Sequence, residues 1–448
     1  MADSHVQVDQ SSTAGAPLLN RIQNHNHQRP PRSQERANDD VVLDRVLQKL
    51  ETFLSLLGFK QSSVLWSLLS WAAFAVVGVL LPIGMLELSS CSECEKYHIE
   101  DFELDILAMQ ACLAAVSLLC LTLNVRKYGV RSFILADRYS GPMTHSSSQY
   151  VQQIKNSLQL FVFWSLTCLL LKIVREIVRI SYVHHESWWL SSTILLGLII
   201  SWTYLSTIYI LATILFHLIC NLQVVHFDDY AKLLERESDI SILMEEHIRL
   251  RYNLSKISHR YRMFLLLQFC VVTASQCVTL LQTTGYRGRI TIINGGDFAV
   301  SSIVQVVGII LCLHAAIKIS HRAQGIASLA GRWHALATCS VADVSQLRVS
   351  SSVGNLEAMN GQNCLQISYS ENDLESLDYM SLPVNTQLTS QMSSYHKRQA
   401  FVMYLQNNPG GITIFGWRID RGLMNTIFFI ELSLVTFVLG KTIVFTSK

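Results

Sequence analysis

Residues 187–225 read SWWLSSTILLGLIISWTYLSTIYILATILFHLICNLQVV, and this stretch decides the fold of the 448-residue chain. It contains no Asp, Glu, Lys or Arg and is interrupted only by His217. As a helix it would be roughly 58 Å long at ~1.5 Å per residue, well beyond a hydrocarbon core of ~30 Å. Because it lacks an internal proline, it predicts one helix that crosses a membrane and projects beyond it. Two short spans are the alternative.

The overall composition agrees with a membrane protein. Half of the residues are hydrophobic, only 15% are charged, and the mean hydropathy is +0.30. A soluble domain has about 25% charged residues, so the chain lacks the charge that a water-facing surface needs. A net charge of +2 excludes a generally basic nucleic-acid binder. We therefore expect the lipid bilayer to be the main partner and no nucleic acid to bind.

Six further apolar runs approach or exceed the ~20 residues that a spanning helix needs. They are Ser62–Leu86, Ile106–Val125, Asn156–Leu171, Met263–Thr284, Phe298–Ile317 and Leu423–Phe445. We predict an all-α polytopic membrane protein with seven transmembrane helices. Placing the N-terminus in the cytosol puts 27 of the 35 Lys and Arg residues on that side. The positive-inside rule thus predicts a cytosolic N-terminus and an extracytosolic C-terminus.

The segments between the spans divide the chain further. Residues 1–40 are rich in polar residues and proline, which predicts a disordered cytosolic tail, whereas leucines at three- and four-residue spacing predict an amphipathic cytosolic helix over 41–61. Residues 62–339 hold helices one to six with cytosolic helical extensions. Residues 340–394 are Ser-rich and predict a flexible cytosolic insert, and 395–448 form an anchor segment and the seventh span.

The predicted extension after the fourth helix carries a heptad pattern, which is typical of a helix that packs along one seam. The seam residues are Ile240, Leu243, Leu250, Leu254, Ile257 and Tyr261, with His247 at the imperfect position. We expect an intracellular helical stem where subunits meet. A solvated amphipathic helix is the alternative.

Four short motifs carry a resemblance to a known family. They are Gly58-Phe59-x-Gln61-Ser62-Ser63, Ala330-Gly331-Arg332-Trp333-His334-Ala335, Tyr395-His396-Lys397-Arg398-Gln399-Ala400, and Gly410-Gly411-x-x-x-Phe415-Gly416-x-x-Ile419-Asp420-Arg421. The seven predicted helices and cytosolic N-terminus reverse the orientation of G-protein-coupled receptors. With this topology, the motifs resemble the plant gustatory-receptor-like membrane family, which is similar to insect gustatory and odorant receptors. The resemblance implies a homotetramer, a central cation pore lined by the last helix, and a ligand pocket in the outer half of each subunit. Ile443-Val444 stand where insect gustatory receptors have Gln-Phe, so the fold is better supported than channel activity.

Ionisable residues within a span are costly and therefore mark candidate sites. The first group is Lys172, Arg175, Glu176 and Arg179, spaced so that neighbouring pairs can form on one helix. We interpret it as a polar ligand pocket closed by Trp188 and Trp189, which would receive a small molecule. An internally paired cluster at the lipid headgroups is the alternative.

The second group lies in the last helix. If that helix lines a pore, Glu431 would form a ring of carboxylates that attracts cations, and Val438, Leu439 and Ile443 would supply an apolar constriction. The alternative for Glu431 is a salt bridge to another helix. Lys441 is awkward for a cation pore because a lumenal ring of lysines would repel cations.

No catalytic signature stands out in the sequence. Cys91 and Cys94 share a polar loop and are interpreted as a loop disulfide or free thiols rather than a zinc site, which normally needs four ligands. We expect no enzyme activity, no cofactor and no metal. The leading function is a ligand-gated or regulated cation channel at the plasma membrane, with endomembranes open. A non-conducting receptor or scaffold and a small-molecule transporter are the alternatives.

Overall fold

A computed structural model describes residues 31–59, 61, 63–88, 99–134, 147–182, 188–236, 239–285, 292–346 and 394–446. The predicted tail up to residue 30, most of the Ser-rich insert, Cys91 and Cys94 lie outside this part of the chain.

The described residues form an almost entirely helical bundle with one small hairpin. The helices are α1 Pro31–Leu56, α2 Val64–Ala73, α3 Leu81–Leu88, α4 Ile99–Tyr128, α5 Val130–Ile134, α6 Ser147–Tyr182, α7 Trp188–Arg236, α8 Ile240–Gly285, α9 Ile292–Gln346, α10 Ser394–Asn407 and α11 Arg421–Thr446. A π-helical segment, Phe74–Leu80, joins α2 to α3. Strands β1 Thr413–Ile414 and β2 Trp417–Arg418 pair antiparallel.

Six stretches of helix are long and apolar enough to cross a membrane. They are Val64–Leu88, Glu103–Tyr128, Ser148–Ser181, Trp188–Arg236, Ile240–Leu281 and Gly296–Thr338. The chain is therefore a multi-pass membrane protein. The seventh predicted span falls in α11, whose last side chains lie outside the described set. Seven spans and the cytosolic N-terminus stay predictions.

Helix α7 is the centre of the bundle. It is one unbroken helix of 49 residues, so the single long helix predicted from the sequence is confirmed and the two-span alternative is wrong. Its first turn is exposed, whereas residues 205–227 are buried at all but two positions. The buried part packs mainly between α6 and α9.

The heptad seam of α8 is also buried, but within the chain. Leu243, Leu250, Leu254 and Ile257 are at most 2% exposed, and Tyr261 packs its ring against Phe216 of α7. We call residues 205–236 of α7 and 240–262 of α8 the stem. Its seam is filled by the chain's own helices, so subunits would have to meet on another surface.

Helix α1 packs a row of leucines against the bundle. Leu43, Leu47, Leu50 and Leu54 are each at most 3% exposed and belong to the same apolar core as the bundle. The helix begins at Pro31, so it includes the last ten residues of the predicted disordered tail.

Candidate functional site: a buried ion cluster and a cavity

Six charged side chains from three helices meet in the bundle, all of them buried. We call them the ion cluster: Glu103 of α4, Lys172, Arg175, Glu176 and Arg179 of α6, and Asp297 of α9. The charges are three positive and three negative. The four residues predicted on one helix therefore do come together, and two carboxylates on other helices complete them.

Contacts between helices hold the ion cluster. Lys172 Nζ lies 2.6 Å from Asp297 Oδ1, and Arg179 Nη2 lies 3.1 Å from Glu103 Oε2. Arg175 Nη2 donates to the same Glu103 carboxylate. Within α6, Glu176 Oε1 accepts from Lys172 at 2.9 Å and from Arg175 at 2.6 Å. Every charge in the ion cluster has an opposite partner. The contacts to Glu103 and Asp297 cross between helices and therefore join α4, α6 and α9.

The two carboxylates missing from the sequence prediction had a weak signal. Glu103 lies three residues before the predicted span 106–125, and Asp297 directly precedes the span that begins at Phe298. Both lie just outside the predicted spans, where a charge ordinarily faces water and indicates no special role. The available signal was the excess of basic residues on α6, where Lys172, Arg175 and Arg179 share one acid, Glu176. This excess indicates that acids on other helices are needed to balance the charge.

A cavity of about 40 Å³ adjoins the ion cluster and is lined by Lys172, Arg175, Glu176, Glu103 and Asp297 together with apolar side chains. One water molecule needs roughly 10–15 Å³ by the same measure, so this cavity holds about three. In this conformation it admits water or a very small polar molecule.

Trp188 and Trp189 do not close the cavity. Their side chains are 79% and 80% exposed. They lie in the first turn of α7, about 21 Å along the helix axis from Trp202. Trp202 lines the cavity instead, and Lys172 Nζ lies 5.8 Å from its ring centroid. Ser201 Oγ and Trp202 Nε1 are buried without a hydrogen-bond partner in the described structure, so the cavity wall offers polar atoms to a ligand.

A second polar layer lies deeper, around Tyr209 of α7. Its hydroxyl donates to the Gln305 carbonyl at 3.0 Å and accepts from Gln268 Nε2 at 2.9 Å. Gly308 makes room for this hydroxyl, since a Cβ there would lie 2.0 Å from Tyr209 Oη. This layer connects α7, α8 and α9.

Glu431 lies on the packed face of α11, not on its free face. Its side chain is 1% exposed, and Oε1 accepts from Thr273 Oγ1 of α8 at 3.0 Å. Oε2 has no hydrogen-bond partner within the described residues. The interhelical contact considered as the alternative is present, but its partner is a hydroxyl and not a cation. The side chains of Val438, Leu439, Lys441 and Ile443 lie outside the described residues.

The opposite face of α11 is free in the single chain. Five exposed residues are spaced three or four positions apart, which places them on one side of the helix. They are Asn425, Phe429, Ser433, Thr436 and Gly440. Three of the five are polar, although the helix is otherwise strongly apolar. Within the described part of the chain, no group of three or more His, Cys, Asp or Glu residues could hold a metal ion.

Comparison with known proteins identifies the family and the fold. The chain belongs to a family described as "Protein of unknown function (DUF3537)", which matches residues 45–430. No curated protein matches the sequence. The fold is similar to that of the insect olfactory receptor OR5 from Machilis hrabei in complex with eugenol, with a TM-score of 0.51, 10% identity, and coverage of 90% of this chain and 99% of the receptor.

A second structure of the same receptor gives a TM-score of 0.47 and 11% identity, and covers 88% of this chain and 99% of the receptor. The likeness to OR5 in its eugenol complex shows an insect-receptor fold over most of the chain. Membership of the plant gustatory-receptor-like family stays a prediction.

Proposed function

We propose that the protein is a subunit of a ligand-regulated cation channel of the chemoreceptor type, assembled as a homotetramer around α11. The observation that carries this proposal is the free face of α11 with Asn425, Ser433 and Thr436. Polar groups facing lipid in a spanning helix are unfavourable, because the hydrocarbon core offers them no hydrogen bonds. Several copies of α11 around a shared axis would turn this face to water.

This arrangement changes the pore residues expected from the sequence. Asn425, Phe429, Ser433 and Thr436 become the candidate pore lining, while Val438, Leu439 and Ile443 stay candidates for an apolar constriction. Glu431 would hold α11 against α8 through Thr273 and would influence permeation only indirectly. We further propose that α11 is the seventh span, with the N-terminus in the cytosol, and that the channel works at the plasma membrane.

The ligand site belongs, in this proposal, to the cavity beside the ion cluster. OR5 is described in complex with eugenol, which makes a small organic molecule a reasonable class of ligand here. A cavity that holds about three waters must expand to admit such a molecule. The ion pairs between α4, α6 and α9 would then lengthen or exchange, and this movement is the candidate link to α11, which packs on α9.

A non-conducting receptor or scaffold is the second candidate. The observation that favours it is the balanced ion cluster, in which all six charges are paired around a small cavity. A purely structural cluster would have the same appearance. Cation flux distinguishes the two candidates.

The test is cation flux through liposomes that contain the purified protein, compared between Ser433→Phe and Ile430→Phe. Both side chains are exposed on α11, but Ser433 lies on the polar free face and Ile430 on its flank. We expect Ser433→Phe to abolish most of the flux and Ile430→Phe to preserve it. Equal flux in both variants, or no flux from the correctly assembled wild-type protein under any stimulus, contradicts the channel proposal.

A further inference from the structure

The hairpin β1–β2 lies where the apolar stretches of three helices end. Thr413 N–H donates to Ser258 Oγ of α8 at 3.3 Å, and Ser320 Oγ of α9 donates to the Ile419 carbonyl at 3.2 Å. Ser258 and Ser320 each lie within five residues of the end of an apolar run, and the run of α11 begins at Leu423. With α11 as the seventh span, as proposed above, the hairpin lies at the boundary between the membrane and water, and the inference below rests on that topology.

The turn of the hairpin is strained by an aromatic residue. Phe415 and Gly416 connect the strands with φ values of 48° and 84°. A two-residue turn with both φ values positive favours Asn-Gly or Gly-Gly, and a bulky side chain there is an outlier. The Phe415 ring is 47% exposed, so burial within the chain does not offset the strain. Such strain is typical of residues that serve a contact.

Aromatic and basic side chains surround this turn. Trp417 is 80% exposed, the Arg262 guanidinium lies 5.1 Å from the Phe415 ring centroid, and Arg418 and Arg421 are exposed. Tryptophan is enriched at membrane–water interfaces, and arginine binds phosphate oxygens in a bidentate manner. We call these five residues the aromatic–basic hairpin.

We propose that the aromatic–basic hairpin is a binding site for anionic phospholipid. Phe415 and Trp417 would lie among the lipid headgroups, and Arg262, Arg418 and Arg421 would bind the headgroup phosphates. A second copy of the chain on this surface would bring the arginines against like charges, which is unfavourable. An anionic leaflet offers the opposite charge and lies at the required level.

The test is hydrogen–deuterium exchange of the peptide covering residues 411–422 in the full-length protein, in nanodiscs of phosphatidylcholine with increasing phosphatidylserine. We expect protection to increase with the phosphatidylserine fraction. Arg418→Gln combined with Arg421→Gln should weaken the apparent affinity for phosphatidylserine by about fivefold for each arginine removed, so the double variant should show little protection at the phosphatidylserine fraction that half-protects the wild-type protein. The same exchange in all lipid mixtures overturns the proposal.

Two variants distinguish the contribution of the Phe415 ring to lipid binding from its effect on the folding of the hairpin. Phe415→Asn fits the left-handed turn better, so it should keep the hairpin folded and weaken the lipid-dependent protection. Trp188→Ser, at an equally exposed tryptophan in the first turn of α7, should leave that dependence unchanged. Protection by soluble glycerophosphoserine in phosphatidylcholine nanodiscs, or protection that follows oligomer formation and not lipid charge, also overturns the proposal. None of these readouts depends on channel activity.

Discussion

The ion cluster and the stem stabilise two parts of the bundle by opposite means. Around the ion cluster, α4, α6 and α9 are joined by charged side chains beside a cavity. In the stem, α7 is buried at nearly every position from 205 to 227 and packs through apolar side chains. Ion pairs can exchange partners with little loss of packing, whereas a close-packed core has no such freedom. We therefore expect the ion cluster to be the part of the bundle that moves and the stem to be the rigid part.

The largest expected effect comes from leaving charges in the ion cluster unpaired. Asp297→Asn removes one of the two carboxylates that contact Lys172. It leaves one positive charge of the ion cluster uncompensated and should lower the free energy of unfolding by about 3–5 kcal/mol. The double variant Lys172→Met, Asp297→Leu removes both charges and leaves two balanced pairs, so it should recover most of that loss. Chemical denaturation in detergent measures both.

A single variant as stable as the wild-type protein would mean that water reaches the ion cluster freely. A double variant no better than the single one would mean that the two charges do not act as a pair. Either result would remove the distinction between the ion cluster and the stem.

The next effect tests close packing in the middle of α9. Gly308→Ala forces Tyr209 away from its two hydrogen bonds, because the new Cβ would overlap its hydroxyl, and should cost about 1–3 kcal/mol. Gly325→Ala is the matched control on the same helix. No atom lies within 4 Å of its Cβ position, so alanine there should be neutral or stabilising by up to ~1 kcal/mol. Equal effects of the two substitutions would show that α7 and α9 are loosely packed.

The smallest effect is a pH dependence of the stem. His247 lies among Tyr230 and Tyr404, and burial, then Arg251, lowers its pKa from 6.5 to about 3. The folded state thus keeps the ring neutral, while the unfolded chain binds a proton below pH 6.5. Stability from this residue is complete above pH 6.5 and falls as the pH drops toward 3, by about 1 kcal/mol at pH 5.5 relative to pH 7.

His247→Gln removes this contribution. The difference in unfolding free energy between wild type and variant should therefore shrink or change sign as the pH falls from 7 to 5.5. A difference that is the same at both pH values would place His247 in contact with water.

The sequence predicts helix identity and length well because hydropathy depends on composition along the chain. Helix α7, the amphipathic face of α1 and the buried seam of α8 all follow from runs and spacing. The rotation of α11 does not, because a helix that is apolar on nearly all sides gives no preferred face. The sequence therefore leaves Glu431 either in a pore or against another helix, and the fold directs it to Thr273.

The ion cluster illustrates a second limit of prediction from the sequence. Four of its members share α6 and were found by spacing, whereas Glu103 and Asp297 are distant in sequence and meet them only through tertiary packing. The prediction that Trp188 and Trp189 close the pocket differs from the structure for a similar reason, since Trp202 lines the cavity. Nearness along the chain to the charged segment favoured the first turn of α7, but the site lies further along the helix.

The account depends most directly on which face of α11 lies at a shared axis. A single-particle structure of the purified full-length protein in lipid nanodiscs measures this together with the number of copies. We expect four copies, with Asn425, Ser433 and Thr436 directed toward the axis and Glu431 against Thr273 of its own subunit. A monomer, or an assembly in which the free face of α11 contacts lipid, would contradict the account.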